Sequence, residues 1–381
     1  MPEAESDVCR TLPQEVIDMI IDFLHDDRRT LKSCAEVAKS WVRVSYYHLF
    51  RKFRIEATPS FKAGYSAQLQ AILRSSFYPY IHELTAVPIP TRSSLYPELT
   101  EEDVVAFFTS LPRLRSLRLD QTGFTRHLSR PQPARRFSAD RLSINWMYPS
   151  IPGSSSSTSD LLLLFYEIRE LDLKVIHRKH LSDAISFEGR EPPPPIMVDT
   201  LTLSDVSGPL LRLLRRLISG DRLHTMRVSI AATADVVELG ELLSTVGSNI
   251  YEFQLAIWNF WSNDFADWDV LGLTNCPNLQ SVVILYANSG PFYSWETVYG
   301  LLAAVPARVR QVTIVVRDEY CLNSANWARL RQTLEHLTNL QRIQFRLCRG
   351  GDLFKSREVP QKVLEGLCRA LPSFKTRGLL C

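Results

Sequence analysis

A motif of the form Leu-x-x-Leu-x-x-Leu-x-Leu returns along most of this chain, and its spacing limits the fold more than any other feature. The clearest copy is Leu111-Pro-Arg-Leu114-Arg-Ser-Leu117-Arg-Leu119. Related copies run Ile168–Leu173, Asp199–Leu203, Leu223–Val228, Ile250–Leu255, Leu279–Ile284, Val309–Ile314 and Leu340–Phe345. Weaker ones lie at Ile81–Val87, Leu142–Ile144 and Leu371–Phe374. The residues that open each alternating pair stand at 84, 117, 142, 171, 201, 226, 253, 282, 312 and 343, spaced 25 to 33 residues apart. A short strand followed by a return of this length predicts a solenoid, in which one repeat cannot bury its own faces and neighbours complete them.

Alternation within a strand sends side chains to opposite faces. Leu117 and Leu119 are therefore expected inside, with Arg118 and Asp120 outside. The stretches Glu101–Leu111, Val236–Val246, Trp295–Val305 and Trp327–Leu337 have helical apolar spacing and should form the convex side. Extending the alternation places Arg118, Asp120, Glu170, Asp172, Lys174, Arg227, Glu252, Gln254, Gln344 and Arg346 on a concave parallel sheet, around an apolar centre of Val283, Leu285 and Val315. Mixed charge of this kind suits a protein ligand, read by complementary charge. Within that set Arg118, Asp120, Asp172, Lys174, Arg227, Gln254, Gln344 and Arg346 are the candidate substrate-binding residues. Loops are expected near 126–136, 152–160 and 188–196, as tethers or as insertions on a binding face. The final segment, Leu371–Cys381, should cap the solenoid.

Enzyme signatures are sparse. There is no phosphate-cradling glycine loop, no Gly-x-Ser-x-Gly elbow and no His-Glu-x-x-His. His177 and His180 have helical spacing but no carboxylate or thiol beside them, which favours a polar loop over a metal site. Asp264, Asp267 and Asp269 lie close together, as a carboxylate pair for acid–base work would, but nothing identifies a sugar or nucleotide to act on. For the tryptophans among them, Trp258, Trp261 and Trp268, a packed repeat corner is the simpler reading and a binding hot spot the alternative. Arg212, Arg215 and Arg216 fit the polar face of a helix whose other side is Leu210, Leu211, Leu213, Leu214 and Leu217. A net charge of +3 over 381 residues gives no reason to expect nucleic acid. Seven cysteines without a Cys-x-x-Cys pair read as reduced thiols. With no apolar leader at the N-terminus and no apolar run long enough to span a bilayer, a soluble cytoplasmic or nuclear protein is expected, with no membrane partner.

The first fifty-odd residues do not carry the repeat. Pro13 and Glu15 suit a first helical turn. Val16, Ile17, Ile20, Ile21 and Leu24 then form a stripe wider than one packing face needs. Asp26-Asp27 offers a stop and a new N-cap. A second helix would carry Leu31, Cys34, Val37 and Ala38 on one side, and a third would run from Ser40 to Phe50 through Trp41. So small a trio leaves apolar surface over, for the downstream body or for a partner.

The order Leu12-Pro13-x-Glu15-Val16-Ile17-x-x-Ile20-x-x-x-Leu24, followed by Leu31-x-x-Cys34-x-x-Val37-Ala38-x-x-Trp41, resembles the F-box. The body resembles the irregular leucine-rich repeats found behind many F-boxes, without the usual Asn or Cys after each strand. These resemblances imply an α/β chain with a three-helix F-box over 10–54 and a leucine-rich-repeat-like solenoid over 55–381. They further imply that Leu12, Pro13, Ile17, Ile20, Leu24, Leu31, Val37 and Trp41 bind the Skp-type adaptor of a cullin ubiquitin ligase, while the body captures a protein substrate. Chemistry would then reside in other subunits, with no catalytic residue, cofactor or metal here. The alternative is a repeat scaffold that binds proteins without a ligase.

Overall fold

Strands and helices alternate because the sequence alternates between a period of two and a period near 3.6. A computed structural model describes residues 12–57, 64–89, 98–125, 135–146, 158–175, 194–230, 234–257, 268–286, 295–323, 325–349 and 352–380. Two compact units result, Met1–Arg118 and Leu119–Cys381.

The first unit opens with three helices, α1 (Gln14–Phe23), α2 (Arg28–Val37) and α3 (Lys39–Phe50). Asp27 caps α2 as its position predicts: its carboxylate accepts the Arg29 and Thr30 N–H groups at 3.0 and 3.1 Å and the Thr30 hydroxyl at 2.6 Å. These bonds, the hydroxyl's first, hold the Asp27 carboxyl below the usual range. Ala38 is extended between α2 and α3, and Val37 is exposed, so the buried side of α2 ends at Cys34 and does not run on through Val37 and Ala38. Ile17, Ile21, Leu31 and Leu49 form the bundle core, with Leu24, Trp41, Val44, Tyr46 and Phe50 packed against it.

A single residue separates α3 from β1 (Lys52–Ala57), which pairs in parallel with β2 (Glu83–Pro88) and sets Phe53 beside Leu84. Between them lies α4 (Gly64–Leu73); β3 (Glu98–Thr100), α5 (Glu101–Ser110) and β4 (Ser116–Asp120) follow, the division between units falling within β4. An aromatic seam explains why the bundle does not separate from the first repeats near residue 54. Phe50 stacks on Phe77 at 4.2 Å, Phe53 stacks on the same ring at 5.5 Å, and Tyr47 meets His82 edge-on at 5.5 Å. Pairs of this kind are each worth about 0.5–1.5 kcal/mol beyond their buried area.

The second unit begins with β5 (Gly123–Thr125), β6 (Phe137–Trp146), α6 (Thr158–Leu162), β7 (Phe165–Val175) and β8 (Ile196–Ser204). It continues through α7 (Gly208–Leu217), β9 (Ile218–Ser219), β10 (Thr225–Ile230), α8 (Ala234–Val246), β11 (Glu252–Ile257) and β12 (Ser281–Tyr286). It ends with α9 (Glu296–Ala304), β13 (Gln311–Val316), α10 (Glu319–Asn323), α11 (Trp327–Glu335), β14 (Arg342–Arg349), β15 (Asp352–Glu358), α12 (Gln361–Ala370) and α13 (Pro372–Thr376). The sheet order is β6-β7-β8-β10-β11-β12-β13-β14-β15, parallel except for the last pair.

Its register gives the repeat a physical meaning. Leu142, Leu171, Leu201, Met226, Phe253, Val282, Val312 and Ile343 stand side by side across eight strands, each at most 2% exposed. Ile144, Leu173, Leu203, Val228, Leu255, Ile284, Ile314 and Phe345 make the next buried row. One carbonyl just before each strand ties the repeats together. His224 accepts N–H groups from Tyr251 and Glu252, Tyr251 from Gln280 and Ser281, Gln280 from Arg310 and Gln311, and Arg310 from Gln341 and Arg342. The N–H groups at these strand entries are therefore satisfied by the repeat before.

All four predicted helices are present, as α5, α8, α9 and α11. Arg212 and Arg215 on α7 pair with Glu238 and Glu241 on α8, so these arginines link neighbouring helices as well as facing solvent. At the C-terminal end the sequence pattern misleads. Leu371–Phe374 is no strand: Pro372 opens α13, where its missing N–H costs nothing. Leu371 and Phe374 are buried all the same, and the Ile343 N–H donates to the Leu379 carbonyl at 2.7 Å, so this segment closes the edge beside β14. The loops expected near 126–136, 152–160 and 188–196 lie mostly outside the described residues; within those spans Thr158–Asp160 begins α6 and Ile196 begins β8.

Candidate functional site

In the first unit, α1 is apolar on two sides. Ile17 and Ile21 turn into the bundle at 6% and 0% exposure, while Met19, Ile20 and Phe23 stand out at 57%, 40% and 82%. Leu12, just before the helix, is 52% exposed, and Val37 at the end of α2 is 66% exposed. Residues 16, 19, 20 and 23 share a helical face by their spacing of three and four. Phenylalanine is normally among the most buried residue types, so this patch on α1 stands out from scattered surface apolar residues.

The eight residues implicated by the F-box resemblance divide accordingly. Leu12, Pro13, Ile20 and Val37 are exposed; Leu24 and Trp41 are half-buried against the core; Ile17 and Leu31 are inside the bundle. The buried pair shapes the surface without touching a partner. Sequence reasoning missed Met19 and Phe23. Their phase relative to Ile20 would have found them once Ile17 and Ile21 were assigned to the core.

In the second unit, the polar residues of the outward row come together as alternation requires. Asp172, Thr202, Arg227, Gln254, Val283, Thr313 and Gln344 stand side by side, and Lys174 and Arg346 lie one step further along their strands. With strands about 4.8 Å apart, Asp172 and Gln344 are separated by roughly 29 Å across the sheet. That is wider than a small-molecule pocket. Arg118 and Asp120 belong to β4, on either side of the division between units, and both are already engaged in contacts of their own.

Several members of this row hold one another. Arg141 approaches Glu170 at 3.7 Å and Asp172 at 3.8 Å, and the Ser143 hydroxyl donates to Asp172 at 3.2 Å. The Gln254 amide donates to Glu252. With its amide oxygen turned toward Arg342, Gln344 accepts from that guanidinium at 2.6 and 3.1 Å. Lys174, Arg227 and Arg346 have no ion pair among the described residues. The Arg227 Nε and Ser229 Oγ atoms are buried there without a hydrogen-bond partner.

The expected apolar centre exists but is closed. Ala256, Leu285 and Val315 form a cluster with Val283 and Cys348 packed against it, and Leu285 and Val315 are only 3% and 2% exposed. Outward-pointing aliphatic side chains of an open sheet would face water. Here they are withdrawn from it, so the accessible part of this face is polar.

Trp268 is 4% exposed, and a Cβ added at Gly300 would fall 2.5 Å from its ring, so this tryptophan packs a repeat corner. The rest of that aromatic and acidic patch, Trp258 to Asp267, lies outside the described residues, as do His177 and His180. Among the described residues no group of three or more His, Cys, Asp or Glu is placed to hold a metal, and no helix is long and apolar enough to cross a membrane.

No family model matches the sequence, and no curated protein matches it. Six chains of solved structures do match. One is the leucine-rich repeat-containing protein LegL7 from Legionella pneumophila, at 16% identity and a TM-score of 0.41, covering 84% of this chain and 98% of that one. A likeness so distant carries no argument.

Proposed function

We propose that the chain is a non-catalytic substrate-recognition adaptor, with the N-terminal bundle docking a Skp-type adaptor of a cullin ubiquitin ligase and the repeat body holding a protein target. The observation that carries this reading is the exposed stripe of Leu12, Met19, Ile20 and Phe23, in a segment whose sequence resembles the F-box. Burying one large apolar side chain contributes about 1.5–3 kcal/mol, so a few such anchors supply the core of a stable interface. The ligase's chemistry would reside elsewhere. The chain would act by proximity, holding a target lysine near the charged carrier and raising its effective concentration.

The mixed charges of the outward face support a protein target over a nucleic acid, since both signs and neutral amides occur on it. A cytoplasmic or nuclear setting fits this role. A repeat scaffold working without a ligase would use the same body, and co-purification separates the two. Full-length protein expressed in eukaryotic cells is expected to bring down the adaptor and the cullin in stoichiometric amounts. Recovery of neither would leave the scaffold reading in its place.

A further inference from the structure

The second unit contains a cavity of about 780 Å³ near its C-terminal end, within the size range of ligand pockets. Its floor is apolar: Leu322, Leu347 and Leu367 are buried, and Val363 is half-buried beside them. The Trp327 ring forms part of the wall and is held edge-on to Phe345 at 6.1 Å. Above this floor stand Arg317, Arg357 and Lys362, all exposed, and none has an ion pair or hydrogen bond of its side chain among the described residues. Two carboxylates share the rim, Asp318 and Glu319, but Asp318 already accepts the Cys321 N–H at 3.1 Å as a cap on α10. Three cations against two carboxylates leave the mouth with a net charge of +1, and the cations are without side-chain partners among the described residues.

Helix α12 borders the cavity. Lys362, Val363, Gly366 and Leu367 share the face of this helix that lines the cavity. A glycine inside a helix costs about 1 kcal/mol against alanine, and it is usually explained by a neighbour that leaves no room for a Cβ. No such neighbour exists here. A Cβ built at Gly366 meets nothing within 4 Å. The bare backbone thus widens an opening that the surrounding fold does not fill.

We propose that this cavity is the docking site for a short peptide segment of a partner protein, one that presents a carboxylate beside a large apolar side chain. The apolar side chain enters over Leu322, Leu347 and Leu367 against Trp327, and Gly366 leaves space for it. The carboxylate takes charge-assisted hydrogen bonds from Arg357, Lys362 and Arg317. A peptide is favoured over a free organic acid because the cations stand at an open rim, where a bound segment can continue into solvent in both directions. The inference rests on reading the body as a protein-interaction module and names the chemistry that module would select.

The test is an array of short acetylated peptide amides, each pairing Asp or Glu with Leu, Ile, Phe or Trp at neighbouring positions, probed with the full-length protein. Retention of such peptides, with loss of their Asn and Gln counterparts, is the expected result. Arg357→Glu combined with Lys362→Glu should weaken binding roughly tenfold or more, one decade being 1.4 kcal/mol. Gly366→Trp should block it. If no acidic peptide is retained, or if retention survives both the charge reversal and Gly366→Trp, the proposal is wrong. Displacement by dodecanoate without retention of any peptide would transfer the site to a free fatty acid and overturn the peptide assignment. Capture of the Skp-type adaptor, measured in parallel, depends on the other unit's exposed stripe, so failure of either reading shows separately.

Discussion

Two helical glycines offer a matched test of how closely the elements of the second unit pack. Gly240 lies in α8 and Gly366 in α12, both in helix interiors. Replacing either by alanine removes the same helix-propensity penalty, about 1 kcal/mol. Their surroundings are opposite. A Cβ at Gly240 would press into the Val270 carbonyl oxygen and stand 3.1 Å from its carbon and 3.3 Å from the Leu271 Cα, whereas a Cβ at Gly366 meets nothing within 4 Å. At Gly366 the gain is realised, so Gly366→Ala should stabilise by about 0.4–1 kcal/mol. At Gly240 the obstacle is backbone, which cannot swing aside like a flexible side chain. Overpacking of this kind costs roughly 1–3 kcal/mol or more against a helix gain of about 1 kcal/mol, a net loss of up to about 2 kcal/mol. At roughly 2–4 °C per kcal/mol for a domain of this size, thermal melts should move up by ~1–4 °C for Gly366→Ala and down by up to ~8 °C for Gly240→Ala. Equal shifts of the same sign would show that propensity alone decides. The close approach of α8 to Trp268–Leu271, and with it the stacking of repeats described above, would then be wrong.

Two further expectations concern single side chains. Burial first, then the Arg113 charge, holds the His82 imidazole below its ordinary pKa of 6.5, so the folded state keeps it neutral while the unfolded chain takes up the proton. Stability from this group is present above pH 6.5 and falls as the pH drops through that value. His82→Gln should flatten the fall in melting temperature between pH 7.5 and 5.5, and an unaltered slope would exclude His82 as its cause. Burial pushes the Cys276 thiol up to about 11, so it should resist iodoacetamide at pH 8 in the folded protein and react only after denaturation. Rapid native labelling at that position would contradict its placement.

Much of the body was legible because a period-two pattern and a fixed return length leave few alternatives. The eight-residue buried row from Leu142 to Ile343 follows from the spacing alone. The cap at Asp27 was legible for a similarly local reason, since an aspartate before a helical run has a backbone to satisfy. What the sequence hid is tertiary. A helix apolar on both sides has no unique phase, so nothing local said that Ile17 and Ile21 face in while Met19, Ile20 and Phe23 face out. Alternation placed Leu285 and Val315 on the outward face correctly but could not say that they are covered there. The Arg212–Glu238 and Arg215–Glu241 pairs join residues 26 apart, a separation no periodicity of one helix reveals. That the chain after Leu371 is helix and not strand fits Pro372 at the first helical position, where the hydrophobic pattern suits either.

The exposed face of α1 is the docking surface proposed for the adaptor. Its clearest measurement is the affinity of purified full-length protein for a purified Skp-type adaptor, in the wild type and in Ile20→Asp with Phe23→Asp. Both side chains lie outside the bundle core, at 40% and 82% exposure, so the variant should melt like the wild type. Anchors of this type cost about 2–4 kcal/mol each when truncated, which makes a loss of at least a hundredfold the expected result. Equal affinity in the two proteins, or no measurable binding by the wild type, would contradict the account.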